Sequence, residues 1–350
     1  MRLAVVADLH ITERPCRSDV PLEEQARILR EIAREIHDQD ADAVLIAGDL
    51  YDGKSTSAER RAVWSFLKSL EPPVVAIRGN HDDPLDIEAM LHLVHVHAFT
   101  IPGVANVCDL DIACAPWPTV KVENGAALYA DVVRGLLAEK PDVLLAHCDL
   151  VGAQLDGGQE TTGKVSSVLT AADFTVPTFL GHYHRRQQVG ECAWYVGGIR
   201  QMRFGDDAAK GFGIYDTDAK EWEWFGPYGR QLVCVEGEWD ATTNRLRLLE
   251  SLPVGVEGCD QSSPTGRSFV RFRYRVDEPA RGVARGAAEV VAKEAGWTDY
   301  VIEPKVIADT RTRGAEVAEA KGEREKLEAY WGDERPARAD EILRKMEGLG

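Results

Sequence analysis

The sequence predicts an α/β protein: a layered sheet-and-helix domain over its first two thirds, a small β-α-β unit behind it, and a charged helical tail. Three observations predict this. Short apolar runs rich in β-branched residues alternate with helical patterns as far as His184, the rhythm of a layered α/β domain. Beyond His184 the texture turns to strands and turns, and from residue 268 one strand–helix–strand pattern stands apart behind a Gly/Pro/Ser-rich stretch.

The predicted strands of the first part are LAVVAD (3–8), AVLIAGD (43–49), VVAIRGN (74–80), LDIACAP (110–116), DVLLAH (142–147) and PTFLGHYH (177–184). Between the first two, Leu22, Ala26, Leu29, Ile32, Ala33 and Ile36 recur at spacings of three and four, and Pro21, Glu23 and Glu24 suit a helix start. A second helix carries Val63, Phe66, Leu67 and Leu70. WYVGG (194–198) and GFGIYDTDAKEWEWFG (211–226) read as strands, with TDAK as a hairpin connection, and the first domain closes near residue 230. After the linker LPVGVEGCDQSSPTG (252–266), SFVRFRYRV (268–276) is a strand, GVARGAAEVVAKEAG (282–296) a helix and YVIEPKVI (300–307) a returning strand. In the tail, Leu327, Tyr330 and Trp331, then Ile342, Leu343, Met346 and Leu349, form two apolar stripes broken by GDERPAR (332–338). That is a helix–loop–helix too short to be stable alone, so its apolar faces must dock on something. The expected domains are 1–230, 231–312 and 313–350.

At 350 residues, 44% hydrophobic and 28% charged, the chain can bury a substantial core, which excludes global disorder and a disulfide-stapled miniprotein. No run approaches the roughly 20 apolar residues of a membrane span, and Asp8 interrupts the N-terminus before a signal-peptide core develops, so a cytoplasmic protein is expected. The seven cysteines, Cys16, Cys108, Cys114, Cys148, Cys192, Cys234 and Cys259, are odd in number and scattered without a C-x-x-C pair, as expected of reduced thiols. With 41 basic and 58 acidic residues the net charge is −17, which argues against a protein that coats nucleic acid through a general positive field. A nucleic-acid enzyme with a locally basic channel, or with metal ions cancelling local carboxylate charge, remains compatible.

Five short segments place metal-ligating side chains where apolar runs end: Asp8 and His10 in D-x-H, Asp49 in G-D, Asn80 and His81 in G-N-H, the lone His147, and His182 and His184 in G-H-x-H. In α/β sheets the C-terminal strand ends are where loops converge and ligands collect. Any one of these segments alone is ordinary; five of the right types, all at strand ends, are not. Carboxylate, imidazole and amide donors suit Mn, Fe or Zn better than Mg or Ca. Seven ligands are enough for two ions, with Asp49 the candidate bridge; ions about 3.5–4 Å apart can clamp the attacking and leaving oxygens of an in-line phosphoryl displacement. Adjacent side chains diverge, so Asn80 can reach a metal while His81 faces substrate as general acid.

The order DLH (8–10), GDLYD (48–52), GNHDD (79–83), AHCDL (146–150) and GHYHR (181–185) resembles the calcineurin-like metallophosphoesterases. That resemblance implies a two-layer β-sandwich flanked by helices and a binuclear site. It assigns Asp8, His10, Asp49 and His184 to one ion, and Asp49, Asn80, His147 and His182 to the other. Within that superfamily the chain is similar to the SbcD-type DNA repair nucleases through LLAHCDLVGAQLDGGQET (144–161), through YVGGIRQMRFGDDAAKGFGIYD (195–216) after GHYHRRQ, and through the β-α-β unit and tail, which match a capping domain and an ATPase-binding segment. The resemblance implies two Mn²⁺ ions, a DNA substrate, an SbcC-type ABC ATPase with a coiled coil as partner, and a homodimer whose helix face includes DIEAMLHLV (86–94). Gly197-Gly198 departs from the usual Gly-Ser, Asp206 or Asp207 stands for the usual glutamate, and Asp52 occupies a position where archaeal members often have histidine.

The expected activity is therefore Mn-dependent DNA cleavage, with two competing readings: a hydrolase of cyclic nucleotides or other small phosphodiesters, and a non-catalytic scaffold tethering DNA ends. Secondary signals are an Arg271/Arg273/Arg275 stripe and the Arg185-Arg186 pair as phosphate contacts. His92, His95 and His97 lack a completing carboxylate or cysteine, and Ser166 and Ser167 lack a nucleophile context.

Overall fold

The computed structural model describes residues 1–14, 19–118, 125–155, 169–249 and 268–307, together with Leu327 and Trp331. All of the expected helix–loop–helix except Leu327 and Trp331, the whole 252–266 linker, Ser166, Ser167, Cys16 and Cys259 lie outside the described residues. The chain divides into two compact units, the first Met1–Val233 with Asp260–Phe269, the second Cys234–Cys259 with Val270–Gly350.

In chain order the first unit contains β1 (Arg2–Val6), α1 (Leu22–Asp38), β2 (Ala43–Ile46), α2 (Ser57–Ser69), β3 (Val74–Ile77), α3 (Pro84–Glu88), β4 (Val96–Phe99), β5 (Gly103–Val107), β6 (Leu110–Ala115), α4 (Gly125–Ala138), β7 (Val143–His147), β8 (Thr178–Gly181), β9 (Gln187–Val189), β10 (Ala193–Tyr195), β11 (Phe212–Asp216) and β12 (Glu221–Phe225). Two six-stranded sheets form, in the orders β12-β11-β1-β2-β3-β4 and β5-β6-β7-β8-β10-β9. β1 to β4 run parallel, as do β6, β7, β8 and β10.

The strands are apolar on both faces because both faces are covered. Leu3, Val5, Ala43, Leu45, Val75 and Ile77 of one sheet meet Ile112, Cys114, Val143, Leu145 and Phe179 of the other in a core between the sheets. The intervening residues Ala4, Val6, Val44, Ile46, Val74 and Ala76 pack outward on Ile28, Leu29, Ile32 and Ile36 of α1 and Val63, Phe66 and Leu67 of α2. On the opposite side Ala113, Leu144, Ala146 and Leu180 pack on Ala130, Val133 and Leu137 of α4. The result is the two-layer β-sandwich flanked by helices that the sequence predicts, its register set by the period-two alternation of strands.

α1 buries Leu29, Ile32, Ala33 and Ile36 of the predicted stripe together with Gln25 and Ile28, while Leu22 and Ala26 are half-buried, and α2 opens on a capping box in which Thr56 and Glu59 satisfy each other's backbone N–H groups. β11 and β12 pair antiparallel around residues 217–220, the expected hairpin, with Asp216 accepting the N–H groups of Asp218 and Ala219 at 2.9 Å.

The second unit's sheet has the order β14-β13-β15-β16, from β13 (Leu232–Asp240), β14 (Arg245–Leu248), β15 (Phe269–Asp277) and β16 (Tyr300–Ile307), and carries α5 (Arg281–Glu294). β15 and β16 pair parallel, as the β-α-β reading requires. Phe272, Tyr274 and Val276 are buried, as are Ala284, Ala288 and Ala292 along one face of α5. β13 and β14 have no counterpart in the sequence reading, because the inward period-two set of β13 includes Gly237 among polar neighbours and so carries little apolar signal. Arg271 and Arg273 both pair with Glu303 of β16, at 3.3 and 2.9 Å, so two thirds of the expected phosphate stripe is committed inside its own sheet.

Candidate metal centre

The centre forms where parallel strands of both sheets end. The apolar runs predicted to continue as strands to Asp8 and Asp49 stop short, at Val6 and Ile46, since the next residues leave the ladder. Asp8 (φ 50°), His10 (φ 43°), Asp49 (φ 51°) and His182 (φ 105°) all lie in the left-handed region, unusual for residues with a Cβ and typical of functional turns. Backbone bonds fasten these turns together: Asp8 N–H to Gly48 O at 3.1 Å and His10 N–H to Asp49 O at 2.9 Å. Asp49 Oδ1 accepts His81 N–H at 2.8 Å, and Asp8 Oδ1 accepts His182 N–H at 2.9 Å, which orients both carboxylates inward.

All seven predicted ligands and His81 come together. Asp8, His10 and His184 form one group able to hold an ion, and Asp8, Asp49 and His147 another. His10 Nε2 lies 3.0 Å from His184 Nε2 and 3.5 Å from Asp49 Oδ2. Asn80 Oδ1 lies 2.9 Å from His147 Nε2 and 2.7 Å from His182 Nδ1, while Asp49 Oδ2 is 3.4 Å from His147 Nε2. Asp49 thus touches both halves, the position of a bridge.

The donor set fits a cation. His147 Nδ1 lies 2.7 Å from Ala47 O, and a carbonyl only accepts, so that nitrogen carries the proton. His182 Nε2 lies 2.7 Å from an Asp149 carboxylate oxygen, and the same argument protonates it. The remaining lone pairs of the two rings therefore face Asn80 Oδ1 and Asp49 Oδ2, four acceptors around one point. Asp8 Oδ2 is buried with no hydrogen-bond partner. Such a cluster repels itself unless a positive charge sits among its atoms.

Electrostatics agree. Burial opposes charge on Asp49, yet the His147, His10 and His81 rings outweigh it and hold the carboxyl well below the usual carboxylate range. Burial likewise works against a charged His147, but Asp49, Asp8 and the Ala47 carbonyl push it up to about 9. Burial, with His10 and Lys210 nearby, drives His184 well below the ordinary imidazole value, leaving a neutral ring with a lone pair to give.

His81 stands at the open side. Its Nδ1 lies 2.9 Å from Asp52 Oδ1, a hydrogen bond that raises its pKa, and its ring meets that of His10 edge-on at 4.9 Å. Asp52 is buried and also lies 3.6 Å from His10 Nδ1. His95, one of the cluster His92, His95 and His97, spends Nε2 on Leu67 O at 2.9 Å.

Several supporting residues escape sequence reasoning because nothing local marks them. The backbone carbonyls of three site histidines are each braced by a distant side chain: His10 O accepts from Arg200 at 2.8 Å, His147 O from Tyr129 at 3.2 Å, and His184 O from Lys210 at 2.6 Å. Arg200 and Lys210 are buried cations 190 and 26 residues away from the carbonyls they hold. The Arg185-Arg186 pair is only partly disposed as expected: Arg185 lies 3.6 Å from Asp207, and the Arg186 guanidinium covers the Trp224 ring at 4.5 Å.

Residues 1–186 match the calcineurin-like phosphoesterase family profile, more than half of the chain. The chain belongs to the calcineurin-like phosphoesterases. Among its described residues this calcineurin-like phosphoesterase holds groups of carboxylates and histidines able to bind a metal ion. Over 108 residues it is 31% identical to a subunit of the nuclease SbcCD of Bacillus subtilis, a match spanning 29% of this chain and 27% of that relative. A solved structure, that of TT1561 from Thermus thermophilus, aligns with 65% of the phosphoesterase and 98% of its own chain at 13% identity and a TM-score of 0.42. Among the described residues, no helix of the phosphoesterase is long and apolar enough to cross a membrane.

Proposed function

We propose that this phosphoesterase is a Mn²⁺-dependent DNA nuclease, the cytoplasmic nuclease subunit of an SbcD–SbcC-type repair and recombination complex. The observation that carries the reading is the convergence of seven donors and an Asp-paired histidine where strands of both sheets end, in a chain partly similar to an SbcCD nuclease subunit. Asp8, His10, Asp49 and His184 would hold one ion, and Asp49, Asn80, His147 and His182 the other. Bound ions supply charge neutralisation at the phosphate and a more acidic water.

The rest is done by the chain. Asp52 accepts the Nδ1 proton of His81, which leaves Nε2 as the nitrogen that delivers a proton to the departing 3′ or 5′ oxygen. The bond from Asp52 keeps the ring protonated for that step. Asp49 accepts the His81 backbone N–H, which fixes the acid relative to the carboxylate that touches both halves of the donor cluster. Residues 231–312 would cap the DNA and 313–350 bind the coiled-coil base of an ABC-type ATPase. Exposed Leu85, Leu91 and Val94 support a homodimer face around 86–94.

A second reading has its own support. Pairing of Arg271 and Arg273 with Glu303, and stacking of Arg186 on Trp224, occupy side chains expected to contact DNA phosphates. That favours a small phosphodiester substrate. The deciding assay is cleavage of end-labelled linear duplex DNA in Mn²⁺ against EDTA, with His81→Ala alongside and the partner ATPase added in a parallel series. Cleavage in Mn²⁺ that EDTA abolishes and His81→Ala lowers about 10²–10⁴-fold is expected. Turnover of a small cyclic diester with intact DNA, even with the ATPase present, would replace the nuclease by the small-substrate enzyme.

A further inference from the structure

We propose that Asp149 is a positioning residue of the metal centre, fixing the tautomer and the plane of His182 so that Nδ1 is offered to the ion shared with Asn80, His147 and Asp49. The inference rests on the reading of this cluster as a metal centre. It concerns a carboxylate that lies outside the seven donors and outside the His81–Asp52 pair.

Asp149 is buried at the end of β7, two residues beyond His147. A buried carboxylate is costly unless it is bonded, and here its Oδ1 has two donors: His182 Nε2 at 2.7 Å and the Tyr183 hydroxyl at 2.9 Å. The opposite ring nitrogen of His182 is the one that meets Asn80 Oδ1 at 2.7 Å. The imidazole thus spans the gap between a carboxylate on its outer edge and the donor cluster on its inner edge. A neutral ring has one proton; held at Nε2 by an acceptor-only partner, it leaves a lone pair at Nδ1 pointing inward. Outer partners of this kind fix ring orientation and raise the basicity of the inner nitrogen.

The surroundings keep both Asp149 and the ring still. The indole of Trp117 stacks on His182 with centroids 5.1 Å apart and planes 24° from parallel, closing one face of the ring. Tyr183 packs on Tyr195 at 5.0 Å, and the Tyr195 hydroxyl bonds Cys148 O at 2.8 Å, pinning the backbone that carries Asp149. The Tyr129 hydroxyl bonds both Ala115 O and His147 O, at 2.8 and 3.2 Å, one step earlier on the same strand. Trp117, Tyr129, Tyr183 and Tyr195 therefore brace one segment, 147–149, against one ring.

The test is Mn²⁺ binding by calorimetry and electron paramagnetic resonance on the full chain, comparing wild type, Asp149→Ala, Asp149→Asn and Tyr183→Phe. Wild type takes up two ions and shows an exchange-coupled spectrum. Asp149→Ala binds one of the two about 10–100-fold more weakly, and the coupled spectrum gives way to that of isolated Mn²⁺. Asp149→Asn, whose amide oxygen still accepts from Nε2, recovers much of the loss, a rescue that simple filling of space does not predict. Folded Asp149→Ala that binds both ions with wild-type affinity overturns the proposal and leaves the metal centre standing; wild type that binds no Mn²⁺ overturns both. Should the alanine variant not fold, nitrogen-15 histidine NMR of the Zn²⁺-loaded wild type decides: a proton on His182 Nε2 is expected, and one on Nδ1 overturns the proposal.

Discussion

Gly79 and Gly181 are glycines for a steric reason with catalytic consequences. A Cβ on Gly79 would fall 2.1 Å from Asp49 Oδ1 and 2.3 Å from Asp49 N, and one on Gly181 would fall 2.0 Å from Ala47 O and 2.8 Å from His147 Nδ1. Neither neighbour can yield, since Asp49 sits in a left-handed turn and Ala47 O holds the His147 proton. Gly79→Ala is expected to cost about 1–3 kcal/mol as overpacking. Displacing the Asp49 carboxylate by about 1 Å is expected to lower metal-dependent turnover about 10²-fold. Thermal unfolding and hydrolysis of bis-p-nitrophenyl phosphate, read side by side, check both. At this scale the donors were legible in the sequence because His, Asp and Asn beside glycine at strand ends are chemically conspicuous. Arg200, Lys210, Tyr129 and Asp149 were not, since their partners are backbone carbonyls or rings brought near only by folding.

Among elements, α2 connects fold to site. Glu59 accepts the N–H of Thr56 at 2.7 Å and that of Glu13 at 2.8 Å, so the residue closing the capping box also ties down the chain leaving the D-x-H segment. Thr56→Ala is expected to lose about 0.5–2 kcal/mol in urea unfolding, the usual worth of such a cap, while Mn²⁺ affinity stays unchanged because Glu59 keeps its bond to Glu13. Position in the sheet accounts for part of which strands the sequence marks, since β12 and β16 end a sheet yet are marked by aromatic and branched residues, and inner β13 is not marked. β1, β2, β3, β6, β7 and β8 are inner strands covered on both faces and read as apolar runs. β4, β5, β9 and β14 end a sheet and have exposed positions that blur the pattern, as in Gly103–Val107 with Val104 and Asn106 outward. α1, α2 and α5 carry clear three-and-four spacing, whereas the boundaries of β1 and β2 were overrun because left-handed turns leave no mark in composition.

For the whole molecule, cations held among the site carboxylates would offset part of the net charge of −17. Ions bound at about one hundred times their Kd add about 2.7 kcal/mol per site, so EDTA is expected to lower the melting temperature in calorimetry and Mn²⁺ to restore it in proportion to the logarithm of its concentration. A melting temperature indifferent to both would contradict the centre. The α/β class was legible because the inner strands read as continuous apolar runs, which demand two covered faces, and the sandwich was implied by the family resemblance; the second unit's sheet was half legible, β15 and β16 by their aromatic and branched residues, β13 and β14 not. The donors are divided between the layers: Asp8, His10, Asp49 and Asn80 follow strands of one sheet, His147, His182 and His184 those of the other. No single layer, however well formed, owns a complete coordination sphere. Refolding should therefore show metal capture trailing the closure of the sandwich, and an ion retained through dialysis would mark a molecule whose two layers have closed.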